Sequence, residues 1–473
     1  MRYISTRDPR DAPLTRSFSE VLLAGLAEDG GLYVPDRIPG LTGDISGFAD
    51  LPYAKLAACI VTLFAGDAFP PGELEQLAAM AYGRFRHAAV APLVQLDESL
   101  WLLELFHGPT LAFKDLALQL VGPMFDAVLA RCREHVTVIG ATSGDTGSAA
   151  IEACRDREAI DVFILYPHRR VSEVQRRQMT TVEAANAHAI AIEGTFDDCQ
   201  DLVKALFADA GLRHELHLSA VNSINWARIA AQSVYYVAAA VALGAAARPV
   251  SFSVPTGNFG NVYAGHVARR MGLPIDRLVI GTNRNDILAR YFASGRMALA
   301  AVEPSLSPSM DIQISSNFER LLFELKDRNG AAVAEAMQNF RRIGMLPEDA
   351  EAWRAARRLF SAHKVDDTEI MQTIAETYSL SGALIDPHTA VAVAAARAEG
   401  AHHAVGTPMI ALGCAHPAKF PDAVERATGV RPELPSALGD LLERRERITV
   451  LPNDIGAVSR FVRAHARRTG AAA

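Results

Sequence analysis

Val136-Thr-Val-Ile-Gly-Ala-Thr-Ser-Gly-Asp-Thr-Gly147 joins a β-branched run to a turn of glycines, hydroxyls and one carboxylate, and a helical pattern follows it. The same unit recurs twice. Val250-Ser-Phe-Ser-Val254 runs into Pro255-Thr-Gly-Asn-Phe-Gly-Asn261, and Met409-Ile-Ala-Leu412 runs into Gly413-Cys-Ala-His-Pro417. Asp161-Val-Phe-Ile-Leu165, His188-Ala-Ile-Ala-Ile192 and Leu278-Val-Ile280 read as further buried strands. Aliphatic strands alternating with helices predict an α/β fold of parallel sheets flanked by helices. Ligands in such folds lie outside the carboxyl ends of strands, where loops enter helix N-termini. All three turns occupy that position.

Outward from these units the chain changes character. Residues 1–92 read as a mostly helical N-terminal region, with turns at Gly30-Gly31 and Pro39-Gly40. Residues 93–218 read as a segment bearing Lys114 together with a small α/β domain, and 219–425 as a large one with a charged helical insertion near 315–385. Residues 426–473 read as a C-terminal tail ending in a short alanine run. A chain of 473 residues is too long for one simple core.

Composition excludes several classes. Net charge is -7, so nothing draws the chain to nucleic acid or an anionic membrane, and any anionic ligand needs a local site. The apolar run Val234 to Ala247 is too short to span a bilayer and reads as a buried helix. Met1 to Pro13 lacks the apolar segment of a secretion signal. The five cysteines are scattered without a CxxC pair, which argues against a disulfide framework or structural zinc and fits a reducing cytosol. The 14 histidines include no HExxH pattern, and His402-His403 sits in a polar stretch. No metal site and no GxSxG elbow is expected. A soluble, cytoplasmic protein is.

Within His107-Gly-Pro-Thr-Leu-Ala-Phe-Lys-Asp115, Lys114 stands between apolar residues and a helix with an apolar stripe. Asp115 is a plausible N-cap, and Gly122-Pro123 predicts a kink. A desolvated lysine there would have a lowered amine pKa, as Schiff-base chemistry needs; the competing reading is a solvated lysine at a helix start. Gly140 to Gly147 is neither a P-loop nor a dinucleotide fingerprint. It suits a carboxylate or phosphate at a helix N-terminus, or simply a capped tight turn. Thr256-Gly-Asn-Phe-Gly-Asn261 could direct several N–H groups at one anion, or form Asx turns without a ligand. Asp386-Pro387 reads as an N-cap with proline at the first helical position, which makes His388 a helix-start residue.

Taken together, these segments resemble threonine synthase, a family of fold-type II pyridoxal-phosphate enzymes. The resemblance rests on His107 to Asp115, Ala141 to Gly147, Pro255 to Asn261 and Ala415-His-Pro-Ala-Lys-Phe420. Gly25-Leu-Ala-Glu-Asp-Gly-Gly-Leu-Tyr-Val-Pro35, and Asn222-Ser-Ile-Asn225 with Arg228, match the longer microbial and fungal branch. It implies that Lys114 holds pyridoxal 5'-phosphate and then serves as the acid/base. It implies that Gly257, Asn258, Phe259, Gly260 and Asn261 grip the cofactor phosphate. Thr142, Ser143, Gly144, Asp145 and Thr146 would meet the substrate carboxylate and the cofactor ring. Asn225, Arg228 and Lys419 would hold the substrate phosphate.

The implied reaction converts O-phosphohomoserine and water into threonine and phosphate. Protons leave Cα and then Cβ, phosphate leaves Cγ, water adds at Cβ and a proton returns to Cα. Such carbanions need the electron sink that the cofactor provides. One position departs from the family. Cys414 stands where a Thr or Ser usually faces the pyridine nitrogen, and a thiol is the weaker hydrogen-bond partner. The alternatives are another pyridoxal-phosphate β- or γ-replacement enzyme, a catalytically idle cofactor-binding relative, and a phosphate-binding domain without pyridoxal.

Overall fold

The computed structural model describes residues 1–41, 43, 45–219, 224–400 and 406–467. His402-His403, the terminal alanines and Asn222-Ser223 lie outside the described residues.

The strands are β1 (Tyr3–Ser5), β2 (Tyr33–Pro35), β3 (Leu93–Gln95), β4 (Leu100–Glu104), β5 (Val136–Ala141), β6 (Ile160–Pro167), β7 (Ala187–Glu193), β8 (Leu218–Ser219), β9 (Val250–Pro255), β10 (Ile275–Thr282), β11 (Phe360–Lys364), β12 (Met409–Gly413) and β13 (Thr449–Pro452). The larger sheet runs β11-β10-β9-β12-β4-β3 and the smaller one β13-β7-β6-β5-β8. Every pairing in the two is parallel except β3 with β4. β6 is buried at all eight positions, and helices on both faces explain its nearly unbroken apolar sequence. Its one carboxylate, Asp161, is met by Arg467 at 2.7 Å, so the strand buries no unpaired charge.

Every strand expected from the sequence forms, and several boundaries move. The 1–92 region carries a two-stranded antiparallel ladder, β1 with β2, besides its helices. Residues 93–104 belong to the larger sheet rather than the small domain, because β4 pairs with β12 from Met409↔Leu100 onward. The expected helical insertion near 315–385 contains β11, an edge strand with one strongly apolar residue, half-exposed and so without a strand signature. The 426–473 segment is no free tail. β13 extends the smaller sheet beside β7, and helix Ile455–His465 buries Val458 and Val462. The expected helix over 234–247 is Trp226–Ala242, ending short of Ala247. Asp115 is not an N-cap but lies in the first turn of helix Lys114–Cys132, which continues through Pro123.

This sheet order builds the cleft. β4, β12 and β9 are parallel neighbours, so their carboxyl-end loops rise side by side, spread over roughly 10 Å at strand spacing. Those loops carry Lys114, Cys414 and Gly257 to Asn261 in that order. The loop after β5, from the smaller sheet, brings Thr142 to Thr146 against them.

Candidate active site

Lys114 is buried at 8% exposure, so the competing picture of a solvated lysine fails. The chain reaches it through Leu111, a non-glycine residue at φ 64, a conformation with a cost that surrounding contacts must hold. Those contacts are present. The Asp115 carboxylate accepts from Thr110 N at 2.7 Å and Thr110 Oγ1 at 2.8 Å, and His416 N donates to Leu111 O at 3.0 Å. Lys114 Nζ lies 3.4 Å from Asp145 Oδ2. Burial pushes its amine below the ordinary value; Asp145 opposes that, and Lys419, then Arg228, reinforce it. A desolvated amine with one long contact is suited to attack an aldehyde.

Asp145 opens helix Asp145–Cys154, where the helix dipole favours negative charge. Its Oδ1 accepts from Lys419 Nζ at 2.8 Å and Gln175 Nε2 at 2.9 Å. Burial would raise this carboxyl, but Lys419 and Lys114 outweigh burial and hold it well below the usual carboxylate range. Lys419 is fully buried and also donates to Thr110 O at 2.7 Å. Two of its three N–H groups are thus spent inside the protein.

Thr142 Oγ1 accepts from Gly144 N at 2.9 Å and Gly147 N at 2.8 Å, so its hydroxyl organises its own loop. Gly144 has φ 138 and a Cβ there would strike Gln175, so only glycine fits. Ser143 and Thr146 are half-buried in the same loop.

Gly257 O accepts from Ser315 Oγ at 2.6 Å and Asn258 O from Asn317 N at 3.1 Å, so the loop's carbonyls are turned into the protein. Phe259 then takes φ 63 to enter helix Gly260–Arg270. The first N–H groups of that helix have no intrahelical acceptor. Asn261 accepts from the hydroxyls of Tyr235 and Tyr236, and its buried Nδ2 has no partner among the described residues.

Arg228 is 3% exposed, with Nε and Nη1 likewise unpartnered among the described residues. Burial pushes it down to about 10. Asn225 differs: it caps helix Trp226–Ala242 by accepting from Ala227 N at 3.0 Å and donates to Leu22 O at 2.8 Å. Both ends of its amide are engaged. Cys414 is buried at the end of β12, its O accepting from Phe113 N at 2.8 Å and its N donating to Thr389 Oγ1 at 3.1 Å. Burial pushes its thiol far up, so it stays neutral.

Lys114 and Lys419 thus flank the Asp145 carboxylate, Asp115 lies beside them on Thr110, and buried donors of Arg228 and Asn261 have no partner among the described residues. Those features fit a phosphorylated aldehyde: an amine for the carbonyl, and a buried guanidinium and helix-start N–H groups for the phosphate. Sequence reasoning missed Gln175, Tyr235, Tyr236 and Ser315. Ser172 and Gln175 form a capping box that was visible as a pattern, but its second use, on Asp145, depends on a contact 30 residues away.

Three sequence profiles match the chain in succession: "Threonine synthase N terminus" over residues 2–82, "Pyridoxal-phosphate dependent enzyme" over 85–339 and "Threonine synthase, C-terminal" over 389–462. A threonine synthase of Pseudomonas aeruginosa is 55% identical, with 99% of each chain covered. The crystal structure of PLP-bound threonine synthase from Brucella melitensis matches with TM-score 0.95 and 51% identity, covering 99% of this chain and 100% of that one. Threonine synthase from yeast matches at TM-score 0.92 and 39% identity, with 98% of each chain covered. Agreement in sequence, over nearly the whole length, and in fold leads to one conclusion: the chain belongs to the threonine synthase family of pyridoxal-phosphate-dependent enzymes.

Proposed function

We propose that the chain makes threonine and phosphate from O-phosphohomoserine and water, with Lys114 carrying pyridoxal phosphate and moving the protons. The observation that carries this is the buried Lys114 amine, 3.4 Å from an Asp145 carboxylate that Lys419 also holds. Bound pyridoxal phosphate supplies the electron sink for carbanions at Cα and Cβ. The protein supplies the rest. Lys114 Nζ takes and returns protons at Cα and Cβ, helped by an amine whose pKa burial has lowered. Lys419 and Gln175 fix Asp145, and Asp145 in turn fixes Lys114. Backbone N–H groups from Gly260 onward hold the cofactor phosphate, and Ser143 and Thr146 meet the substrate carboxylate. Arg228 holds the substrate phosphate, through the two donors that find no acceptor within the described residues. Asn225 acts one step back, setting the start of the helix that carries Arg228.

The test mixes purified protein and pyridoxal phosphate with O-phosphohomoserine, and in a parallel arm with serine. Equal amounts of phosphate and threonine from the first arm, and no product from the second, are expected. Turnover of serine alone would make the chain a different replacement enzyme, and no turnover in either arm would make it a binding protein.

A further inference from the structure

Asp386 and His388 lie outside the groups used above, yet both are nearly inaccessible, at 0% and 4% exposure. Asp386 caps helix Pro387–Glu399, accepting from His388 N and Thr389 N at 3.0 Å each. Its Oδ2 also lies 2.7 Å from His388 Nδ1, and Oδ1 accepts from Thr389 Oγ1. A carboxylate cannot donate, so Nδ1 carries the proton and Nε2 is left as an acceptor. That acceptor faces the amide of Ser309 at 3.2 Å.

Two chains of contact leave this pair in opposite directions. Thr389 Oγ1 accepts from Cys414 N, and Cys414 O accepts from Phe113 N, the residue before Lys114. On the other side, Ser309 begins a strap that crosses the 257–261 loop. A Cβ on Gly257 would lie 3.2 Å from Met310 Cα and 3.1 Å from Ile312 Cδ1, and Ser315 Oγ donates to Gly257 O. The strap's far side is fixed by Asp311, which accepts from Asn283, Asn285 and Ser305.

We propose that the Asp386–His388 pair is a positioning device that sets the phosphate-holding loop relative to the lysine segment, acting on the loop through Ser309 and the strap. It deepens, and rests on, the reading that Gly257 to Asn261 holds the cofactor phosphate. Neither residue is catalytic: their bonds end on backbone amides and a neighbouring hydroxyl. What they determine is how well the loop fits a phosphate whose aldehyde end is already fixed at Lys114.

The test compares binding of pyridoxal phosphate and of pyridoxal, which lacks the phosphate, to the full chain by absorbance titration. His388→Phe keeps a ring against Phe420, whose centroid is 4.9 Å away, and removes both hydrogen bonds. It should weaken pyridoxal phosphate about tenfold while pyridoxal affinity stays within about twofold, a selective loss that general destabilisation would not produce. Ser315→Ala should weaken pyridoxal phosphate too, and the double variant should be no worse than the poorer single, because both act through one strap. Unchanged preference in His388→Phe, or fold-changes that multiply in the double variant, would overturn the proposal. Should His388→Phe fail to fold, Asp386→Asn keeps a good cap while disturbing the imidazole's proton placement, and the same selective loss is expected. Gly257→Ala separates the two readings. If it too leaves the preference unchanged, the phosphate does not sit on this loop; if it narrows the preference and His388→Phe does not, only the coupling is wrong.

Discussion

The two ends of the cleft are built on opposite plans. At the lysine end, Asp145 lies between Lys114 and Lys419 and takes a further bond from Gln175, so each buried charge there has a partner. At the other end, Arg228 and Asn261 are just as buried, yet part of each side chain meets no acceptor among the described residues. A paired cluster holds its own geometry without help. An unpaired buried cation carries a desolvation cost that an incoming anion repays. On the proposed reading, the amine that reacts is fixed beforehand and the end that binds anions is completed by ligand.

The sharpest way to break this comparison is to empty the paired end. Lys114→Ala should reduce turnover by at least about 10³-fold, since in the proposed mechanism it removes both the cofactor's anchor and the proton carrier. Borohydride reduction of the unaltered protein followed by peptide mapping should place the pyridoxyl label on Lys114, and a label elsewhere would reassign the anchor. The unpaired end should respond in the other direction. Arg228→Met removes a costly buried charge, so the ligand-free protein should gain about 1–3 kcal/mol, read from chemical denaturation. The same variant should raise KM for O-phosphohomoserine by roughly two orders of magnitude. A variant that loses stability, or keeps its KM, would mean that Arg228 is already satisfied. The smallest effect belongs between the two ends. Cys414→Thr exchanges a neutral thiol for a hydroxyl of similar size, and kcat should stay within about threefold of the original or rise slightly. A loss beyond tenfold would show that turnover depends on the thiol itself.

The same contrast describes what was legible in the sequence. β5, β6, β9 and β12 declare themselves because strands buried on both faces are dominated by apolar and β-branched residues. β11 and β13 lie at sheet edges, half-exposed and short, and carry no such signature. That β3 and β4 join the larger sheet was hidden for another reason: strand order is decided by pairing between segments hundreds of residues apart. In the cleft, Lys114 and the three glycine-bearing turns were readable because each is a local pattern. The engagement of Asn225 with Leu22, the hold of Gln175 on Asp145 and the contact of His388 with Ser309 were not, since each joins distant segments.

Strand order also has a meaning in time. β12 lies between β9 and β4, so the larger sheet stays in two pieces until residues 409–413 have been made, and the smaller sheet lacks β13 until 449–452. At about 5–20 residues per second, roughly 15–60 s of synthesis separate β4 from the strand that joins it to β9. Over about the second half of that interval, once residues 250–255 have been made, the facing edges of β4 and β9 are both open. Growing chains of this protein are therefore at their stickiest just before residues 409–413 emerge, and slow translation between β9 and β12 would prolong the exposure that chaperones must cover.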